Sequence, residues 1–64
     1  MLIYFTDDVT KNKFAINPKY VVGVFIASDE QNNGKTVISM INGSFLIEES
    51  QLDAVGMIQG QLND

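Results

Sequence analysis

With 64 residues, no cysteine and no histidine, the chain has room for a single domain (1–64) and excludes disulfides and the usual zinc sites. Four lysines, no arginine and eight carboxylates leave a net charge of −4, which favours solubility and works against non-specific nucleic-acid binding. The 45% apolar content is too high for a disordered acidic tail, yet a domain of this size buries only about 60% of its unfolded surface, so a partner subunit is expected.

The charge is uneven along the chain. Residues 1–27 carry Lys11, Lys13 and Lys19 against Asp7 and Asp8, whereas residues 28–64 carry Lys35 against six carboxylates. The longest uncharged apolar run, "YVVGVFIA" at 20–27, is far short of the roughly 20 residues a membrane-spanning helix needs. Met1-Leu2-Ile3 lacks the basic and long apolar regions of a signal peptide, and a soluble cytoplasmic protein is expected.

In chain order, "LIYFT" at 2–6 is β-branched and aromatic and reads as a strand, followed by the polar turn "DDVTKNK" and a return strand at 14–16. Asn17-Pro18 then breaks the ladder, because proline has no amide proton and disfavours helix at the residue before it. The next strand, 20–27, is apolar on both sides: Tyr20, Val22, Val24 and Ile26 on one, Val21, Gly23, Phe25 and Ala27 on the other. A half-exposed strand should alternate with polar residues, so both faces are expected to be covered. Gly23 suggests a bulge, a bend or a close backbone approach.

A polar loop leads to a strand at 35–41. Asn42-Gly43 is expected to form the two central positions of a type I′ hairpin turn, with 44–48 as the return strand. Ser50 is suited to cap a final helix, Asp53 completes a near capping box, and Leu52, Val55, Ile58 and Leu62 form its apolar arc. The expected fold is α+β and mostly β: a curved, small-barrel-like antiparallel meander of about five strands with one C-terminal helix.

Candidate sites are few. Residues 29–34 superficially resemble a calcium loop, but Gln31 and Met40 stand where ligands belong. The serines have no histidine base, and no phosphate-binding glycine motif is present, so no catalytic residue, metal or cofactor is expected. Lys11, Lys13 and Lys19 with Tyr20 form a thin candidate patch for single-stranded nucleic acid, which would need steeply salt-dependent binding. Asp29, Glu30, Glu48, Glu49 and Asp53 would suit an acidic inhibitor of a nucleic-acid-binding protein if they lined one surface.

The stretches "INPKYVVGVFIAS" and "KTVISMINGSFLIEESQLDAVGMI" carry an Asn-Pro turn into a strand, a Thr-x-Ile strand, an Asn-Gly turn and a Glu-Ser helix start. Over about residues 14–58 this resembles the small flagellar FlbD family and similar short bacterial and phage β-meander proteins. The resemblance implies the meander architecture and no catalytic residues. The leading expectation is a non-enzymatic accessory protein of phage or mobile-element type, which self-associates or docks on a protein partner through its second apolar face. The candidate contact residues are Val22, Val24, Ile26, Ile38, Met40, Gly56, Met57 and Gly60. The two helix glycines mark either a close crossing or the fraying of the helix after Ile58.

Overall fold

The computed structural model describes residues 2–62, the Leu62 side chain excepted. The elements are β1 (Ile3–Thr6), β2 (Lys13–Ile16), a 3-10 turn (Pro18–Tyr20), β3 (Val21–Ile26), β4 (Thr36–Met40), β5 (Gly43–Ile47) and α1 (Gln51–Leu62). Five antiparallel strands and one C-terminal helix are thus present, arranged as two sheets, β1–β2 and β3–β4–β5.

The sheets join at a corner. Asp7 bridges Ile47, the Asp8 amide donates to the Leu46 carbonyl at 3.0 Å, and the Glu48 amide donates to the Thr6 carbonyl at 2.9 Å. No strand pairing joins β2 to β3 among the described residues, so the expected barrel does not close. The Asn17-Pro18 turn lies between those two strands: Asn17 Oδ1 accepts from the Lys19 amide, and proline offers no amide to continue a ladder. The helix covers the inner face of the curled sheet instead. Ile3, Phe5, Ile16, Ile38 and Ile47 from the strands form one buried cluster with Ala54 and Ile58 of α1. Phe14 links the sheets, its ring centroid 6.4 Å from that of Phe5 and 5.3 Å from that of Phe45.

Three sequence expectations change here, each for a local reason. The first concerns β3, where a bulge, one of the three readings of Gly23, is present: Val21 pairs with Met40 and Gly23 with Ser39, leaving Val22 as the extra residue. A bulge reverses which residues share a face. Val21, not Val22, therefore joins Val24 and Ile26 on the helix side, and Val22 is 69% exposed.

The second is the β4–β5 turn. Met40 pairs with Gly43, so the central residues are Ile41 and Asn42, and neither has positive φ. The turn lies one residue earlier than the type I′ expectation, with Gly43 at φ +154 just after it, in a region open chiefly to glycine. This register ends β5 at Ile47 and leaves Glu48 and Glu49 free of the β4 ladder to engage Thr6.

The third is the rotation of α1. Ser50 caps it as expected, its Oγ accepting from the Asp53 amide at 3.1 Å. The buried side, however, is built on Ala54 and Ile58, and Leu52 is 83% exposed. Ala54 has so little side chain that the helix seats closely on the sheet, and Gln51 Nε2 ties its first turn to the Val24 carbonyl at 3.1 Å.

Gly56 and Gly60 lie on the exposed side. The helix runs on to Leu62, so it does not fray after Ile58, and an added Cβ would meet nothing within 4 Å at either position. No close crossing within the described residues uses them. Gly56→Ala with Gly60→Ala should therefore raise stability by about 1 kcal/mol per site, read as a higher thermal midpoint. A drop in stability or a changed oligomeric state would instead reveal a crossing with another chain.

A candidate interaction surface along the third strand

β3 is an edge strand, paired on one side with β4. The Ala27 amide donates to the Lys35 carbonyl at 2.9 Å, and alternation along an antiparallel ladder then turns the backbone groups of Val24 and Ile26 away from β4, toward the open edge. The hydrogen bond from Gln51 to the Val24 carbonyl lies on that edge.

Exposed apolar side chains concentrate there. Among the described residues, Tyr20, Val22, Phe25 and Ile26 on or beside β3 are all exposed, as are Ile41, whose amide donates to the Tyr20 carbonyl, and Leu52, which follows Gln51. The outer side of the sheet adds one apolar row, Phe25–Val37–Leu46, below a row of small residues, Gly23–Ser39–Ser44. No charged residue stands between Lys19 and Asp29.

The contact residues expected from sequence are divided by this geometry. Ile38 is 0% exposed in the chain's own core and is removed from the surface; it sits opposite Val24 and Phe45, where helix and sheets meet. Val24 and Met40 are half-buried against that core. Val22 and Ile26 are exposed on β3, whereas Gly56, Met57 and Gly60 lie on the outer side of α1. Phe25, Ile41 and Leu52 belong to the surface but not to the expected set.

The basic patch is dispersed. Lys11 Nζ lies 3.3 Å from Glu48 and 3.8 Å from Asp8, and Lys35 Nζ lies 2.6 Å from Asp8. Lys13 stands near Glu49. Lys19 and Tyr20 sit in the 3-10 turn, at the other end of β2 from Lys11, and Lys19 makes no salt bridge among the described residues.

The carboxylates are divided as well. Glu48 faces Lys11, Glu49 turns onto Thr6, and Asp29 accepts from Asn32 Nδ2 at 3.1 Å within the β3–β4 loop. That loop closes through Gly34 at φ +88, a hairpin arrangement.

Two carboxyls are held below their ordinary values. For Asp8 the hydrogen bond from Lys35 is the main cause, aided by the nearby charges of Lys35 and Lys11 and opposed by partial burial. For Glu49 burial pushes upward, but hydrogen bonds from the Thr6 amide, its own amide and the Thr6 hydroxyl, with Lys13 nearby, together outweigh it. These groups close the corner between the two sheets. Comparisons of the chain with protein-family models, curated proteins and solved structures give no match.

Proposed function

We propose that this chain is a non-enzymatic interaction module that makes its contacts through β3 and the exposed apolar side chains beside it. The observation that carries this reading is the grouping of Tyr20, Val22, Phe25, Ile26, Ile41 and Leu52 around one open, uncharged strand edge. Exposed apolar side chains grouped along one strand edge mark interaction sites more often than singly scattered ones do. An edge strand ordinarily carries a charge, a proline or a covering element. β2, the other open edge, has Lys13 on it and Pro18 just past its end; β3 has no charge or proline within its span, and α1 reaches its edge through the Gln51 bond to the Val24 carbonyl.

A photo-crosslinking residue placed at Val22 in the cell tests the proposal, with the same residue at Val9 as control. Val9 is equally apolar and exposed but lies in the β1–β2 turn. The reading expects a protein adduct at position 22 and far less at position 9. Absence of any protein adduct at position 22 would sink it.

A further inference from the structure

We infer that the two Asn-Gly turns, Asn33-Gly34 and Asn42-Gly43, are sites of spontaneous modification, where the asparagine closes onto the glycine nitrogen and reopens in water as aspartate or isoaspartate.

This chemistry needs a free side-chain amide, an unhindered backbone nitrogen directly after it, and water. The described asparagines separate on those needs. Asn17 is followed by Pro18, which has no amide proton to lose, and its Oδ1 already accepts from the Lys19 amide. Asn32 Nδ2 donates to Asp29 at 3.1 Å, and the next residue, Asn33, carries a side chain. Asn12 is followed by Lys13, whose Cβ crowds the nitrogen. Asn33 and Asn42 are exposed, have no side-chain hydrogen bond among the described residues, and are each followed by an exposed glycine. Glycine brings no Cβ to the approach, and nothing lies within 4 Å of where one would stand at Gly34 or Gly43.

The closed turns tie both glycine nitrogens. The Gly34 amide donates to the Ala27 carbonyl at 3.0 Å, and Gly43 stands opposite Met40, where ladder alternation directs its amide back across the two-residue turn. Attack therefore waits for the turn to open, and loop tips open at far lower cost than core strands. The fold sets the pace, and the residue pair sets the place.

In the open turn the glycine nitrogen gives its proton to solvent and attacks the asparagine Cγ. A nitrogen–Cγ bond forms, the Cγ–Nδ2 bond breaks, and Nδ2 takes up a proton and leaves as ammonia. Water then opens the five-membered imide. Breaking the new bond to Cγ gives aspartate, and breaking the original main-chain bond to the glycine nitrogen gives isoaspartate.

Each conversion adds one negative charge to a chain that already carries −4. At Asn42 that charge appears directly after Ile41, one of the exposed apolar residues beside β3. Isoaspartate also adds a main-chain carbon to the turn that sets the register of β4 with β5.

Peptide mapping by mass spectrometry, on the full chain aged in isotopically heavy water, tests the inference. Positions 33 and 42 are expected to convert ahead of 12 and 32, with loss of ammonia, uptake of one solvent oxygen and a pair of isomers separable by chromatography. The rate should rise with pH, because the nitrogen attacks only after losing its proton. Asn42→Gln, which would need a larger ring, should lose the change at 42 and keep it at 33, with circular dichroism showing an unchanged fold. An aged chain with Asn33 and Asn42 intact, beside a reference peptide "MINGSF" that has converted, would overturn the inference. Conversion of Asn12 or Asn32 that keeps pace with them would overturn it as well.

Discussion

Phe5→Ala is expected to remove a large part of the chain's stability at 25 °C. Phe5 is 0% exposed and occupies the middle of the cluster shared by both sheets and the helix. Its ring also anchors Phe14, which in turn meets Phe45 across the gap between sheets. Removing a buried phenylalanine costs about 3–5 kcal/mol, from lost transfer energy and the cavity left behind. A domain of this length has roughly 3–10 kcal/mol of stability in total. The substitution therefore removes a large part of it, and far-UV circular dichroism with a denaturant titration would show the loss. Leu52→Ala, at the most exposed large apolar residue described, should change stability by less than about 0.5 kcal/mol. A Phe5→Ala chain as stable as the wild type would mean that the core is centred elsewhere.

The second large effect is expected at the corner. Glu49 accepts from the Thr6 amide through Oε1 and from the Thr6 hydroxyl through Oε2, both at 3.0 Å, and so fastens the start of α1 to the end of β1. Glu49→Ala removes both acceptors and leaves the Thr6 amide without this partner. Hydrogen bonds to a charged group are worth more than neutral ones, while partial exposure screens the charge, which gives a loss of about 2 kcal/mol. Thr6→Val, which keeps the amide bond and removes the hydroxyl, should cost about half as much.

The same corner sets an acid limit. The Glu49 and Asp8 carboxyls are lowered on folding from ordinary values of 4.5 and 3.8. A lowered folded value means that the unfolded chain binds protons more readily, so these groups contribute stability above the ordinary values and lose it as pH falls through the folded ones. Stability should therefore decline as pH is lowered from about 5 through 3. Glu49→Gln should flatten that decline at the cost of lower stability at neutral pH. An unchanged acid limb in Glu49→Gln would place the sensitive carboxylates elsewhere.

Local chemistry made most elements legible before the structure: β-branched and aromatic runs for the strands, Asn17-Pro18 for the break, Ser50 for the helix cap. Gly23 likewise pointed to a bulge, a bend or a close approach in β3, and the bulge is what the strand contains. What local pattern does not contain is the direction in which a bulge turns each face, and that reassigned Val21 and Val22. The helix rotation was hidden for a similar reason. Leu52 has the hydropathy of a core residue, but Ala54 fits the close approach and Gln51 finds a carbonyl on β3.

The corner contacts join residues about forty positions apart, such as Thr6 with Glu49 and Lys11 with Glu48, and no short-range signal announces them. The candidate surface was half legible. Two-sided apolarity pointed to β3, while the choice of Ile38 overlooked that the helix already covers the inner face.

Residue-resolved amide hydrogen exchange on the free chain tests the central claim most directly, because it reads the two sides of β3 separately. The account predicts fast exchange at the Val24 and Ile26 amides, which face the open edge, and slow exchange at those of Phe25 and Ala27, which face β4. Val24 and Ile26 amides as protected as their neighbours would contradict it.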